Sequence, residues 1–420
     1  MTGNMAKTSR FNDFILLSFF PVVMIYMLLQ FMGYRLPILG IYVRLALLYS
    51  VLLSIRHAGR NIVSTFLVIY ILYCLLSLVF VTDSDVKLSG YSYDLLNFIL
   101  PMSAFFIGSN KIITDNRYYN WFLYSVLFCF GLGLFFYFFS TNWYVEKISV
   151  LSYDRLGTEL SDLDELHERT RFSSFMYGPY PIQYLGIPAL SYLLFQIYSD
   201  KDKYRKDKWY YAISVIVIIV SIVLCQQRTA WGYLAVLIIF YLVISLGKKK
   251  DIWGLLIFGV VIFAIISFVQ PNFDVIGSVL GSRMDEMSFS SAMSGRTNQY
   301  ESLWENWTRP IFGHGMGSGG AIARVAGLPG ASDAGYMKIL YENGMVGSLL
   351  FLGIIIPTLV RVIKKRKYYY VELHIIIFFL IAMLGSNALC ISLYYSIMFW
   401  YAIGRVWNSN YLNEQSLKQQ

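Results

Sequence analysis

Residues Ser294–Gly319 read SGRTNQYESLWENWTRPIFGHGMGSG. Two arginines before Pro310, two glutamates, a histidine and an alternating run of glycines stand here between stretches that are largely apolar. Such a segment does not cross hydrocarbon, because its charges and loop backbone would go unsatisfied there. It marks a loop at a membrane face, and the apolar stretches around it read as spans. Tyr300, Leu303, Trp304 and Trp307 recur at three and four residues. That spacing predicts an amphipathic helix resting on the membrane surface or on the bundle. Pro310 should end it. Gly313, Gly315, Gly317 and Gly319 then predict a loop whose backbone can approach a ligand closely. The run has no GKS or GKT and no preceding strand, so it is not a nucleotide-phosphate loop.

The bulk of the chain agrees. It has 420 residues, 57% of them hydrophobic and 14% charged, whereas soluble domains carry about 25% charged residues. The fold class read from this is an all-α polytopic membrane protein, one transmembrane domain over residues 1–420. Apolar runs predict about twelve transmembrane helices, near 14–32, 38–55, 62–81, 94–109, 119–139, 176–198, 209–226, 230–246, 251–269, 335–359, 373–386 and 389–405. A crossing takes about 20 residues. Cys74, Cys129, Cys225 and Cys390 all fall in apolar runs without paired ligand spacing, and read as packing residues.

The formal charge of +9 would suit nucleic acid, but its placement points elsewhere. With the amino terminus inside, every cytoplasmic loop is basic: Lys7 and Arg10; Arg56 and Arg60; Lys111 and Arg117; Lys201 to Lys208; Lys248 to Lys250; Arg361 to Lys367. This is the positive-inside bias. Membrane lipids are a sufficient partner for it, no nucleic acid is expected, and both termini are expected in the cytoplasm. Two long extracytoplasmic loops remain, 141–175 and 270–334. The first carries ELSDLDELHERTR, an expected short amphipathic helix with Asp162 and Asp164 exposed; it reads as an acidic turn, and no metal site is expected.

Arginines on the outer face run against that bias. Arg228 sits in CQQRTAWG, a hairpin of about three residues between two apolar runs. A guanidinium so close to hydrocarbon is costly and usually functional, the alternative being that it snorkels to headgroups. Arg171, Arg296, Arg309 and Arg324 share that face. Arginine matches phosphate and carboxylate oxygens with a rigid fork, so a phosphate-bearing lipid headgroup is the natural ligand. Asp333, where the second loop re-enters the membrane, and Glu342, nine residues on, are candidate proton acceptors for a sugar hydroxyl; Asp333 is equally a helix cap. His314, in the glycine loop, is a candidate substrate ligand or a turn end.

Taken in order, these pieces resemble the O-antigen polymerase and O-antigen ligase superfamily. The matching blocks are Ser294-Gly295-Arg296, the tryptophans Trp304 and Trp307, Pro310-Ile311-Phe312-Gly313-His314-Gly315-Met316-Gly317, and Asp333 through Glu342, Gly344 and Gly347. QQRTAWG resembles the family's arginine hairpin and places Arg228 on its arginine; RFSSFMYGPYP resembles another block and places Arg171 there, without the asparagine usual after the proline. The resemblance implies a GT-C-like helical bundle in the bacterial inner membrane and a metal-independent glycosyltransferase without cofactor. Its substrate would be an undecaprenyl-diphosphate-linked glycan. Arg228 and Arg296 would join Asp333 as catalytic residues. Arg171, Arg309, Arg324, His314, Gly313, Gly315, Gly317 and Glu342 would bind substrate. A chain-length regulator and a flippase would be pathway partners. Ligases of the family resemble one another in a histidine followed by asparagine at the head of the last block, where this chain has Asp333 and Ala334. That difference favours polymerisation of lipid-linked repeat units for O-antigen or capsule. Ligase-type transfer to an acceptor, or a lipid-linked glycan transporter, are the alternatives.

Overall fold

A computed structural model describes residues 2–34, 36–55, 58–80, 84–110, 116–156, 172–176, 180–199, 206–246, 301, 304–320, 323, 334–390 and 392–411. The expected span near 251–269, the acidic helix with Asp162 and Asp164, and Arg171, Arg296, Arg324 and Asp333 lie outside the described residues.

The described chain is helical. Its helices are α1 (Thr2–Phe31), α2 (Pro37–Ile55), α3 (Ile62–Leu76), α4 (Ser84–Asp94), α5 (Arg117–Phe139), α6 (Thr141–Leu156), α7 (Tyr180–Ser199), α8 (Lys208–Leu224), α9 (Arg228–Leu246), α10 (Gly335–Lys364), α11 (Tyr370–Ala382) and α12 (Leu393–Val406). Between α4 and α5 the chain breaks into short pieces, with a wide turn at Leu95–Ile99 and helical turns at Leu100–Met102 and Ala104–Gly108. Four helical stretches are long and apolar enough to cross a membrane: Pro37–Ile55, Ile62–Val79, Arg117–Phe139 and Gly335–Lys364. Leu17–Phe31, Lys208–Leu224, Arg228–Tyr241 and Tyr370–Ala382 are shorter and apolar. The chain is thus a multi-pass membrane protein, and twelve crossings are more than these stretches establish.

The outward faces support this. Ile38, Ile41, Leu45, Leu48 and Leu52 are exposed along α2, and Met345, Leu349, Leu352, Ile356, Val360 and Ile363 along α10. Both series step by three and four residues, so each helix turns one wholly apolar stripe outward. Water would penalise such stripes, whereas lipid accepts them. The buried residues include polar groups as well as the four cysteines.

Contacts divide the chain into two compact units: Met1–Val23, Pro37–Phe122 and Gly295–Gln420 in one, Met24–Leu36 and Leu123–Ser294 in the other. In the first, α3 lies along α10, α11 packs on α12, and α12 packs on the Ala104–Gly108 turn. Asn61 starts α3: its side chain accepts from the Ser64 amide while the Ser64 hydroxyl accepts from the Asn61 amide, closing a capping box. The approach of α12 to Ala104–Gly108 depends on two glycines. A Cβ on Gly404 would land on the Phe105 carbonyl, and one on Gly108 on the Tyr401 carbonyl. The buried Arg405 guanidinium, one residue on, donates to Asn116 Oδ1 at 2.9 Å and lies 3.6 Å over the Tyr411 ring.

In the second unit α7 packs on α8 and α9. Residues 141–156, expected as the start of the first long loop, are helical as α6. Phe31, Phe136, Trp143 and Tyr144 form an aromatic cluster where α6 meets α1 and α5.

Gly404→Val should destabilise the protein by about 1–3 kcal/mol through overpacking. Gly232→Val is the control, because a Cβ at Gly232 meets open space. Thermal unfolding in detergent should show a lower midpoint for the first variant only.

Candidate functional site

Helix α10 is interrupted at Gly344, whose φ of 61° and ψ of −166° are not helical. In an unbroken helix the Met345 and Val346 amides would bond the Tyr341 and Glu342 carbonyls. Here the glycine loop stands in for both partners. Met345 N–H donates to Pro310 O at 2.8 Å and Val346 N–H to Ile311 O at 3.1 Å. In return His314 N–H donates to Tyr341 O at 3.0 Å and Gly315 N–H to Glu342 O at 2.8 Å. Four backbone bonds thus stitch the loop into the break, and buried polar groups left by the interruption are satisfied.

The glycine spacing follows from this join. Gly313, Gly315 and Gly317 all take positive φ, at 77°, 91° and 86°, a region open to glycine at no steric cost. A Cβ on Gly344 would strike Gly313 N and Ile311 O, and one on Gly313 would strike Glu342 O. Gly317 closes in the same way on Gly90 and Tyr91 of α4. The close approach these glycines permit is therefore to the protein's own helices. Helix α3 and the residue that follows it add side chains: the Tyr73 hydroxyl lies 2.7 Å from Phe312 O and 2.9 Å from Asn343 O, and Met316 N–H donates to Ser77 Oγ at 2.9 Å.

Beneath the loop lies a buried ionic cluster. Lys338 and Glu342, one turn apart on α10, pair at 2.7 Å, and the Lys338 ammonium also contacts the Asp94 carboxylate. The side chains are 2%, 1% and 2% exposed for Lys338, Glu342 and Asp94. Gly319 N–H donates to Glu342 Oε1 at 3.0 Å. Both oxygens of Glu342 are therefore engaged, one by the loop and one by the ammonium. Neither Asp94 nor Lys338 was singled out from the sequence: 244 residues separate them, and a lone lysine in an apolar helix carries no spacing signal. Among the described residues, no three His, Cys, Asp or Glu side chains group to hold a metal ion.

On the loop's surface the His314 imidazole stacks on Tyr341, with centroids 4.3 Å apart and planes 5° from parallel. Its Nε2 is buried without a hydrogen-bond partner. Burial, with the Arg309 charge adding to it, holds His314 below the usual 6.5, so it is neutral at pH 7. Arg309 is exposed, and its carbonyl accepts from Gly313 N–H at 2.9 Å. Trp307 and Met337 pack on the cluster of Tyr341 and Ala334, the residue after Asp333. The expected helix ahead of Pro310 is present at Glu301, Trp304 and Glu305 and has ended by Trp307.

Arg228 belongs to the other unit. It begins α9 after the three-residue turn Cys225–Gln227, in which Gln226 has φ 53°. The hairpin read from the sequence is thus present. Trp231 Nε1 caps the end of α8, lying 3.3 Å from Ile222 O and 3.1 Å from Val223 O. Phe172 N–H donates to Leu224 O at 3.0 Å. The residue next to Arg171 is therefore tied to the hairpin that carries Arg228. Ser173 N–H donates to the Tyr144 hydroxyl and Ser174 Oγ to Cys129 O, fixing that segment on α6 and α5. Gln183 Oε1 and Gln227 Nε2 are buried in this unit without a hydrogen-bond partner, and sequence reasoning passed over both.

Residues 213–352, 140 of the 420, match the family described as O-antigen ligase. Over that stretch the chain is similar to O-antigen ligases. The stretch contains Arg228, the tryptophan segment, the glycine loop and the break at Gly344; Arg171 lies before it. No curated protein matches the chain.

Two outcomes follow for the loop. Lys338→Met strands two buried carboxylates and should cost about 3–5 kcal/mol. Glu342→Gln keeps one carboxylate facing the ammonium and should cost less, and unfolding in detergent should rank the two in that order. Acid acts in part through His314. An unfolded imidazole takes a proton near pH 6.5 that the folded one resists, so stability is level above that pH and falls below it. Unfolding midpoints of wild type and His314→Gln, followed from pH 8 to 5, should show a shallower acid loss in the variant.

Proposed function

We propose that this membrane protein is a glycan-transferring enzyme, moving a glycan from a polyprenyl diphosphate carrier to a hydroxyl of an acceptor in ligase-type transfer. The observation that carries this reading is the similarity to O-antigen ligases over residues 213–352, the stretch in which the loop and α10 interlock.

In this reaction an acceptor hydroxyl oxygen bonds to the anomeric carbon. The bond from that carbon to the diphosphate oxygen breaks, and undecaprenyl diphosphate leaves with the electron pair. The hydroxyl proton passes to Asp333. One displacement inverts the anomeric centre, without a covalent glycosyl intermediate. Arg171, Arg228 and Arg296 spread the charge that develops on the diphosphate, while Arg309, Arg324 and neutral His314 contact the substrate. Glu342 serves by holding Gly319 and Lys338, which keeps the loop seated. The linkage already carries the energy, so no nucleotide enters this step. The reaction is assigned to the outer face of the bacterial inner membrane, with both termini in the cytoplasm, in agreement with the basic loops.

Polymerisation of lipid-linked repeat units is the second reading. It is favoured by Asp333 and Ala334 standing where ligases of the family resemble one another in histidine and asparagine.

The full chain in nanodiscs, given an undecaprenyl-diphosphate-linked glycan and the acceptor lipid of the producing cell, should release undecaprenyl diphosphate and yield a once-glycosylated acceptor. A ladder formed from the lipid-linked glycan alone would assign the second reading. Glycan moved across a liposome without a new bond would overturn both. Arg228→Ala should lower the transfer rate about 10²–10³-fold, read as undecaprenyl diphosphate released per minute.

A further inference from the structure

Outside the loop and the ionic cluster, the first unit has an open cleft of about 310 Å³, lined by Glu301, Trp304, Glu305 and Met337. That volume is at the lower end for small-molecule sites. Glu301, Trp304 and Glu305 are helical and spaced by three and four residues, which puts them on one face. Trp304 is 62% exposed despite its size. It is not loose: its ring is 5.1 Å from Trp307, which packs on Tyr341, the residue stacked on His314. The cleft is therefore joined by packed side chains to the loop.

Three kinds of occupant meet different fates here. A diphosphate is repelled by two carboxylates. An acyl chain would cover Trp304 and Met337 but make no use of the two exposed carboxylates beside them. A neutral pyranose ring matches both features. Its C–H face lies on an indole, a large apolar surface, and its hydroxyls donate to carboxylates, which only accept.

We propose that Glu301, Trp304, Glu305 and Met337 form an acceptor subsite that seats a neutral, hydroxyl-bearing sugar ring. The assignment to acceptor follows from charge, since the reacting donor sugar carries the diphosphate and the acceptor's terminal sugar does not. The proposal rests on the reading of the protein as a transferase to a hydroxyl acceptor, and it names the group that positions that hydroxyl's ring.

The test uses the full chain in phosphatidylcholine nanodiscs and, as probe, the lipid-free oligosaccharide freed by mild acid from the producing cell's acceptor lipid. Saturation-transfer NMR should show the oligosaccharide bound by wild type and by Trp304→Phe. Binding should weaken about tenfold or more in Trp304→Ala and in the Glu301→Gln, Glu305→Gln double variant. In the transfer reaction, Trp304→Ala should raise the acceptor KM by a similar factor and leave the donor KM unchanged. Equal oligosaccharide signals in wild type and Trp304→Ala would overturn the proposal. So would a Trp304→Ala variant that binds sugar normally but inserts poorly into the bilayer, which would make Trp304 a membrane anchor. The transfer reading fails separately, when wild type releases no undecaprenyl diphosphate from its donor.

Discussion

The break in α10 at Gly344 is the constraint on which the first unit's site depends. A helix that stops bonding to itself in mid-course leaves two amides and two carbonyls without partners, and a membrane interior does not supply water to replace them. The glycine loop supplies all four partners from its own backbone. Backbone meets backbone too closely for a Cβ at Gly313 or Gly344. The alternation of glycine with other residues in GHGMG is thus a record of packing: every second residue takes positive φ, and the residues between them present side chains. His314 is displayed in this way, over Tyr341.

The charges below the loop extend the same logic. Two carboxylates and one ammonium in a nearly closed space are expensive unless each is paired and hydrogen-bonded. Gly319 N–H completes the set from the loop. Seating the loop and satisfying Glu342 are therefore one event. Exposed Arg309 and half-buried His314 sit on this rigid base, the kind of support a binding group needs to hold its geometry. In the second unit a backbone bond does a comparable service: Phe172 on Leu224 fixes the entry of the segment after Arg171 beside the Arg228 turn.

Much of the helical framework was legible as apolar runs, because a span must be continuous and apolar, and α2, α5, α10 and the Arg228 hairpin fall close to their expected bounds. Helix α6 was not legible. Its sequence TNWYVEKISVLSYDRL mixes charges with apolar residues at no span length, so composition alone reads it as loop. The loop's glycines were visible, but their purpose was not: closeness to a ligand and closeness to Gly344 predict the same residue type. Glu342 illustrates the other limit. The sequence marks an acidic residue in an apolar helix but does not show that the lysine one turn earlier and the distant Asp94 enclose it. Pairings across 244 residues leave no local pattern to read.

Amide hydrogen exchange on the full chain in nanodiscs tests the exchange of partners at Gly344 most directly. The account predicts that His314, Gly315, Met345 and Val346 are protected together, and that Gly344→Ala deprotects the two loop amides along with the two helix amides. Fast exchange at His314 and Gly315 in wild type, with Met345 and Val346 still protected, would mean that α10 bonds to itself and that the loop does not hold it.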